Sequence, residues 1–275
     1  MPKFHIESYL NSLPINTTKI VVEDKRLLYL PDSIIRFTKL EELNCDDNYL
    51  ISLPAALPKS LRYLSCNNNK LKSLPAVLPE SLEYLSCNNN EITSLPAVLP
   101  ESLKYLYFVN NKITSLPALP PFLLHFYCMS NKITSLPTLP PLLLHLYCTN
   151  NKLRSLPSLW PGNLEHLFLS HNKLTSIPNL PETLKGFGLG FNPIWEIIND
   201  RDLRISAQRI KKFNSFRYLY YSLKFRRQFR NWLWEKVRKP KIDNKYNPYY
   251  LIANLNEDID LDRFLEHWIN NGDSC

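Results

Sequence analysis

The sequence predicts an α/β repeat solenoid: a coil of short parallel strands with an extended outer wall, followed by an α-helical cap. Three observations predict it. Asparagine recurs at Asn48, Asn69, Asn90, Asn111, Asn131, Asn151, Asn172 and Asn192, spaced by 20 or 21 residues. The chain holds 22 prolines and only 5 glycines, and 18 of those prolines lie between Pro31 and Pro193. Past Ile194 the composition changes at once to a basic, aromatic segment.

The strands come from the frame around each asparagine, L-x-x-L-x-C/L/F-x-x-N-x-L/I. It runs from LEELNCDDNYL at Leu40 to LKGFGLGFNPI at Leu184. A worn copy, TTKIVVEDKRL from Thr17, keeps Ile20, Val22 and Leu27 but has Lys25 in place of the asparagine. Alternating apolar positions such as Leu64 and Cys66 point inward from a short strand, and the residues between them point out. The turn that follows buries backbone amides that need partners, and an asparagine side chain offers both a donor and an acceptor. Stacked copies therefore predict an internal amide ladder. The frame and its period resemble the leucine-rich repeat, for which about 20–29 residues per copy is the rule. That resemblance implies a horseshoe of short parallel strands.

The prolines shape the return path. Segments such as SLPAVLPESL, Ser73 to Leu82, carry two prolines in a short stretch, which leaves little room for a helix. An extended, polyproline-like convex side is expected instead. LPAVLP at Leu74 is one residue longer than LPTLP at Leu136, whereas the strand block keeps its length. The frame seen as LPTLPPLLLHL, Leu136 to Leu146, resembles the repeats of bacterial type III effectors of the YopM and IpaH families, over residues 40–194. It departs from them at the inward position, where Cys45, Cys66, Cys87, Cys128 and Cys148 replace an aliphatic residue. The IpaH group also carries a ubiquitin-ligase domain with a catalytic cysteine. Here the stretch after the repeats has Cys275 as its sole cysteine, so that activity is not carried over.

Those five repeat cysteines occupy one equivalent position and read as small core hydrophobes. No close Cys pair of zinc-finger type occurs, and several free thiols point to a reducing compartment. Residues 1–16 hold no apolar run of signal-peptide length, and no stretch reaches 18 apolar residues. An intracellular protein is expected, in host-cell cytoplasm or, second, in a virion.

The outward strand positions form two stripes. The first holds Glu42, Tyr63, Tyr84, Tyr105, His125, His145, His166 and Gly186; the second holds Asn44, Ser65, Ser86, Tyr107, Tyr127, Tyr147, Phe168 and Gly188. With strands about 4.8 Å apart, these stripes are continuous on the concave face. Aromatic surfaces of this kind mark protein-binding sites. The expected partner-binding residues are Tyr63, Tyr84, Tyr105, Tyr107, His125, Tyr127, His145, Tyr147, His166 and Phe168. Three stacked imidazoles offer metal-ligating nitrogens. Since no carboxylate shares their strand position, no metal and no cofactor is expected. The Glu42, Asp46 and Asp47 cluster reads as an acidic rim. No phosphate loop, nucleophile elbow or Cys/His dyad is present, so no enzymatic activity and no small-molecule substrate is expected.

Beyond the repeats, Arg201 to Lys245 holds 15 Lys/Arg against three acidic residues. Ile210, Phe213, Phe216, Leu219, Leu223, Phe229, Leu233 and Val237 recur at mostly helical spacing, and Pro240 ends that pattern. Asn247 before Pro248 marks a second helix start, and Asp260 to Trp268 reads as a third helix. The chain divides as 1–16, an N-terminal lead-in; 17–194, the solenoid; and 195–275, a basic helical region. The main expected role of that last region is to cap the last repeat, as repeat stacks require. An alternative is contact with nucleic acid or an anionic membrane through residues 209–239, with Arg226, Arg227 and Arg230 as the basic patch. Trp232 to Trp268 resembles short tails of repeat proteins in nucleocytoplasmic large DNA viruses, through W-x-x-V-R-x-P-K-I, Y-x-P and D-L-D-x-x-L elements. The expected function is a non-enzymatic scaffold, of viral origin, that binds a host or viral protein on its concave face.

Overall fold

The computed structural model describes residues 4–198 and 202–235. The repeat prediction is met strand by strand. β1 (Lys19–Val21), β2 (Glu42–Asn44), β3 (Tyr63–Ser65), β4 (Tyr84–Ser86), β5 (Tyr105–Tyr107), β6 (His125–Tyr127), β7 (His145–Tyr147), β8 (His166–Phe168) and β9 (Gly186–Gly188) form one parallel sheet in chain order. Register never slips: Leu43 pairs with Leu64, Leu64 with Leu85 and Leu85 with Leu106. The worn copy is a full member, since Ile20 pairs with Leu43.

The asparagine ladder closes each turn. Asn69 Oδ1 accepts from Leu50 N at 2.9 Å, and its Nδ2 donates to the carbonyls of Cys45, Cys66 and Asn67. Asn90 repeats the pattern toward Leu71, and Asn151 toward Ile133. Asn48 serves the copy that lacks an asparagine, accepting from both Lys25 N and Leu27 N. Each frame also needs a left-handed residue one position earlier. Asp47, Asn68, Asn89, Asn110, Ser130, Asn150, His171 and Phe191 have φ between 53° and 57°.

The core is a single column of leucines and thiols. Cys45, Cys66, Cys87, Cys128 and Cys148 are all fully buried, as predicted, and Phe108 fills the same position in the β5 turn. Along the return path from Ile51 to Asn192 no helix forms. Leu53, Pro54, Leu57 and Pro58 turn inward while Ala55 and Ala56 stay outside. Hydroxyls pin this wall to the preceding turn: Ser81 Oγ donates to Leu61 O, and Ser102 Oγ to Leu82 O, both at 2.7 Å.

Both ends are covered. At the N-terminal end a short helix, α1 (Ile6–Ser12), buries Ile6 and Leu10. The first return segment holds a 3₁₀ turn at Asp32–Arg36 whose Arg36 guanidinium donates to Leu10 O. Neither helical piece was expected. At the other end α2 (Trp195–Ile198) and the start of α3 (Leu203–Leu233) bury Ile198, Ser206 and Ile210, with Phe213 packed alongside. Asn214 Nδ2 donates to Ile177 O at 3.0 Å. The chain divides between Asn214 and Ser215 into two units, the second taking in the remainder of α3. Phe216, expected on an apolar stripe, is 72% exposed. The expectations around Pro240, Asn247 and Asp260 to Trp268 lie outside the described residues.

Candidate functional site

Parallel in-register pairing places the first residue of every strand beside its copy, so identical residues stack. Tyr63 and Tyr84 lie with ring centroids 4.2 Å apart and planes 10° apart. Tyr105 stacks on His125 at 5.0 Å. His125, His145 and His166 then meet edge to face, at 4.3 and 4.6 Å. The second stripe stacks more evenly: Tyr107 on Tyr127 at 4.9 Å, Tyr127 on Tyr147 at 4.4 Å, and Tyr147 on Phe168 at 4.8 Å. The stripes touch as well, through Tyr84 with Tyr107 at 5.3 Å and a 3.2 Å contact between Tyr127 Oη and His145 Nδ1. All ten predicted residues therefore belong to one continuous patch.

Two expectations need correction. The stripes were read as exposed, but every one of these rings is half-buried, because its neighbours cover one or both faces. Ser65 and Ser86 were read as pointing to solvent, yet each is 1% exposed. They sit under a polar ladder instead. Ser65 Oγ donates to Asp46 Oδ1 at 2.8 Å, and Asn67 N donates to the same oxygen. Ser86 Oγ and Asn88 N both donate to Asn67 Oδ1. Asp46 is thus the acceptor that starts a ladder.

The face is graded along the sheet. Over β1 and β2 it is charged, with Lys19 Nζ 2.8 Å from Glu42 Oε1. Beside β3 to β5 the position preceding each strand carries Arg62, Glu83 and Lys104, and Glu83 bridges the other two at 3.3 and 2.6 Å. Lys104, then Arg62, hold the Glu83 carboxyl below its ordinary range. At β6 and β7 that same position is Leu124 and Leu144, both half-buried, and on the opposite margin half-buried Val109 and Met129 follow β5 and β6. The apolar part of the face is therefore wider than the two stripes. Leu124, Leu144, Val109 and Met129 lie outside the two outward positions that strand alternation marks, so alternation alone does not point to them.

Burial sets the charge state of the patch. It pushes Tyr84 and Tyr107 up to about 12, with neighbouring phenols adding to the effect. It lowers His125, and it lowers His145 together with the nearby His125 and His166. Burial thus favours the neutral forms of Tyr84, Tyr107, His125 and His145.

No carboxylate shares the strand position of the histidines, as expected, but Glu165 reaches them from the position before it. One ligand atom each from His145, Glu165 and His166 lie within 4.8 Å of one another. Glu165 precedes β8 and also pairs with Lys185 at 2.7 Å, which lowers its carboxyl below the ordinary range. In the basic patch Arg226 and Arg230 are exposed, while the Arg227 side chain lies outside the described residues. No described helix is long and apolar enough to cross a membrane.

Comparison with known proteins agrees with this geometry. Leucine-rich-repeat family models match residues 80–121, as two copies, and residues 163–187. No curated protein sequence matches the chain significantly. Among solved structures, the leucine-rich effector YopM of Yersinia pestis is 36% identical, with a TM-score of 0.57 over 66% of this chain and 56% of its own. YopM of Yersinia enterocolitica is 33% identical, with a TM-score of 0.51 over 66% of this chain and 48% of its own. The functional domain of InlJ from Listeria monocytogenes, which includes a cysteine ladder, is 27% identical with a TM-score of 0.52, over 65% of this chain and 45% of its own. The chain thus spans about half the length of the solved chains it matches. From β1 to β9 it is a leucine-rich-repeat solenoid, similar in fold to the effector YopM.

Proposed function

We propose that the chain is a non-enzymatic scaffold that binds a partner protein on the β3 to β8 face. The observation that carries this reading is the continuous stack from Tyr63 to Phe168, widened by Leu124 and Leu144. Aromatic rings are enriched at the cores of protein interfaces, and Tyr is among the residues that dominate their binding energy. Rings already fixed against one another lose little further freedom on binding. The charge grading favours a partner with apolar anchors opposite β5 to β8 and basic groups opposite the acidic cluster of Glu42, Asp46 and Asp47 at β2. Similarity in fold to a bacterial effector supports a host protein as the partner. The test is affinity capture with the parent chain and with Tyr105, Tyr127 and Tyr147 all replaced by alanine. Partner capture is expected to disappear while the variant still unfolds cooperatively. A folded variant that captures the same protein equally well removes this reading.

A second reading rests on α3. Among its described side chains Lys212, Arg217 and Arg226 are exposed, as are Phe216 and Tyr218. Such a basic aromatic helix suits contact with nucleic acid or an anionic membrane. It predicts binding that weakens steeply with salt and is lost when Arg226, Arg227 and Arg230 are neutralised. Salt-insensitive binding excludes it.

A further inference from the structure

We propose that His145, Glu165 and His166 form a binding site for one divalent transition-metal ion of the Zn²⁺ class. The fold brings the donors together from two adjacent strands. His145 on β7 is the register partner of His166 on β8, and Glu165 enters β8 one residue earlier. The backbone fixes both newcomers to one carbonyl, since Glu165 N and His166 N donate to Leu144 O at 2.8 and 3.0 Å.

Distances and donor types agree with an ion of this class. The three ligand atoms lie within 4.8 Å of one another. A tetrahedral ion with bonds of about 2.0–2.1 Å holds its ligand atoms about 3.3 Å apart. Rotation of half-buried side chains that closes the set by about 1.5 Å completes the geometry. Two imidazoles and one carboxylate suit Zn²⁺, Co²⁺, Ni²⁺ or Cu²⁺ better than Ca²⁺ or Mg²⁺, which take oxygen ligands. Glu165 gives one oxygen, Oε1, to Lys185 and keeps the other for the ion.

Supporting contacts orient the rings. Tyr127 Oη lies 3.2 Å from His145 Nδ1, so an Nδ1 proton donated to the phenol oxygen leaves the Nε2 lone pair as the ligand. His166 lies over Gly186, where a Cβ would come 2.5 Å from its Nδ1. Gly186 is thus a positioning residue. His125 packs edge-on to His145 at 4.3 Å and forms a wall of the site. The fourth coordination position faces the strand surface, where water or a partner side chain can occupy it. Ion binding requires no partner protein, because all three donors come from this chain.

The test uses the full chain without a polyhistidine tag, stripped with EDTA and titrated with CoCl₂, then with ZnCl₂. One Co²⁺ per chain is expected, with ligand-field bands of a nitrogen and oxygen site, no thiolate charge-transfer band, and displacement by Zn²⁺. His145→Ala and His166→Ala are each expected to weaken Co²⁺ binding by about 100-fold or more, and Gly186→Ala by about tenfold. Glu165→Gln, which keeps the shape, is expected to weaken it by about tenfold. His171→Ala, outside the cluster, is expected to leave it unchanged. Circular dichroism of the metal-free variants checks that each is folded. Failure of the folded parent to bind one Co²⁺ at millimolar concentration overturns the proposal. So does undiminished binding by folded His145→Ala and Glu165→Gln variants, or a thiolate charge-transfer band.

Discussion

The side-chain oxygen of Asn69 accepts the backbone proton of Leu50, one turn earlier, at 2.9 Å. Leu50 is fully buried and the Asn69 residue is 8% exposed, so no water replaces that bond. Asn69→Ala strands the Leu50 amide and takes one of two side-chain donors from the Cys45 carbonyl, which keeps Asn48 Nδ2. The expected loss is about 1–3 kcal/mol, read as a shift in the midpoint of urea unfolding. Asn69→Asp keeps the acceptor but loses the donors, and puts an uncompensated charge in the turn. It is expected to be at least as damaging.

The ladder was legible because it repeats at one position, and periodicity finds anything that does. Contacts that cross positions were not. Glu165 meets His145 from the residue before the next strand, so comparison of like with like could not bring them together. Ring stacking turned stripes read as open into half-buried ones, because burial there depends on neighbours and not on strand alternation. The asparagine pairs, as in Asn68 and Asn69, hold two roles: the first takes the left-handed turn, the second the ladder. Only the second was read from the chain. At the N-terminal end α1 spans seven residues, too short for a helical period to stand out. On α3 the apolar spacing was correct for Ile210 and Phe213 but not for Phe216, because spacing identifies a face without saying which turns are covered.

Phenols in the patch provide a pH prediction. Tyr84 and Tyr107 are pushed up to about 12 in the fold, mainly by burial, from an ordinary value of 10.0. A group whose folded value is raised contributes stability that is fully present below the unfolded value. That contribution is lost as pH climbs from about 10 through about 12. Spectrophotometric titration of tyrosine should show Tyr84 and Tyr107 ionising late, beside Tyr127 and Tyr29, which are also raised, together with a fall in melting temperature across that window. In the double variant Tyr84→Phe, Tyr107→Phe the late phase should shrink. Ionisation of every tyrosine in one step near pH 10 contradicts the burial argument.

The thiol column makes a kinetic prediction. Cys66 Sγ lies 3.1 Å from Cys87 Sγ, and Cys128 Sγ lies 2.8 Å from Cys148 Sγ, all fully buried. The contact with Cys87 and burial raise the Cys66 thiol well above its ordinary range; burial and the contact with Cys148 do the same for Cys128. A thiol that is neither exposed nor ionised does not attack a disulfide reagent. The five repeat cysteines should therefore react only as fast as the solenoid opens, and promptly in denaturant. Rapid modification of Cys66 or Cys128 in the folded chain, located by mass spectrometry, would place them outside the core.

Backbone strain in the turn can be separated from side-chain packing at Asn89. Its φ is 53°, and its side chain is exposed, bonded only to Asn68 and Asn110. Asparagine tolerates the left-handed region far better than a β-branched residue, which meets the following carbonyl. Asn89→Val removes no buried contact, so its cost is chiefly conformational, about 1–2 kcal/mol. Asn89→Gly takes the same φ without strain and removes the same side-chain bonds. It is therefore expected to stay within about 1 kcal/mol of the parent, the scale of glycine's entropic cost in the unfolded chain. Urea unfolding of the two variants compares them directly. Equal losses in both would mean that the exposed Asn68, Asn89 and Asn110 bonds hold the turn; a large loss in valine alone means that the left-handed backbone does.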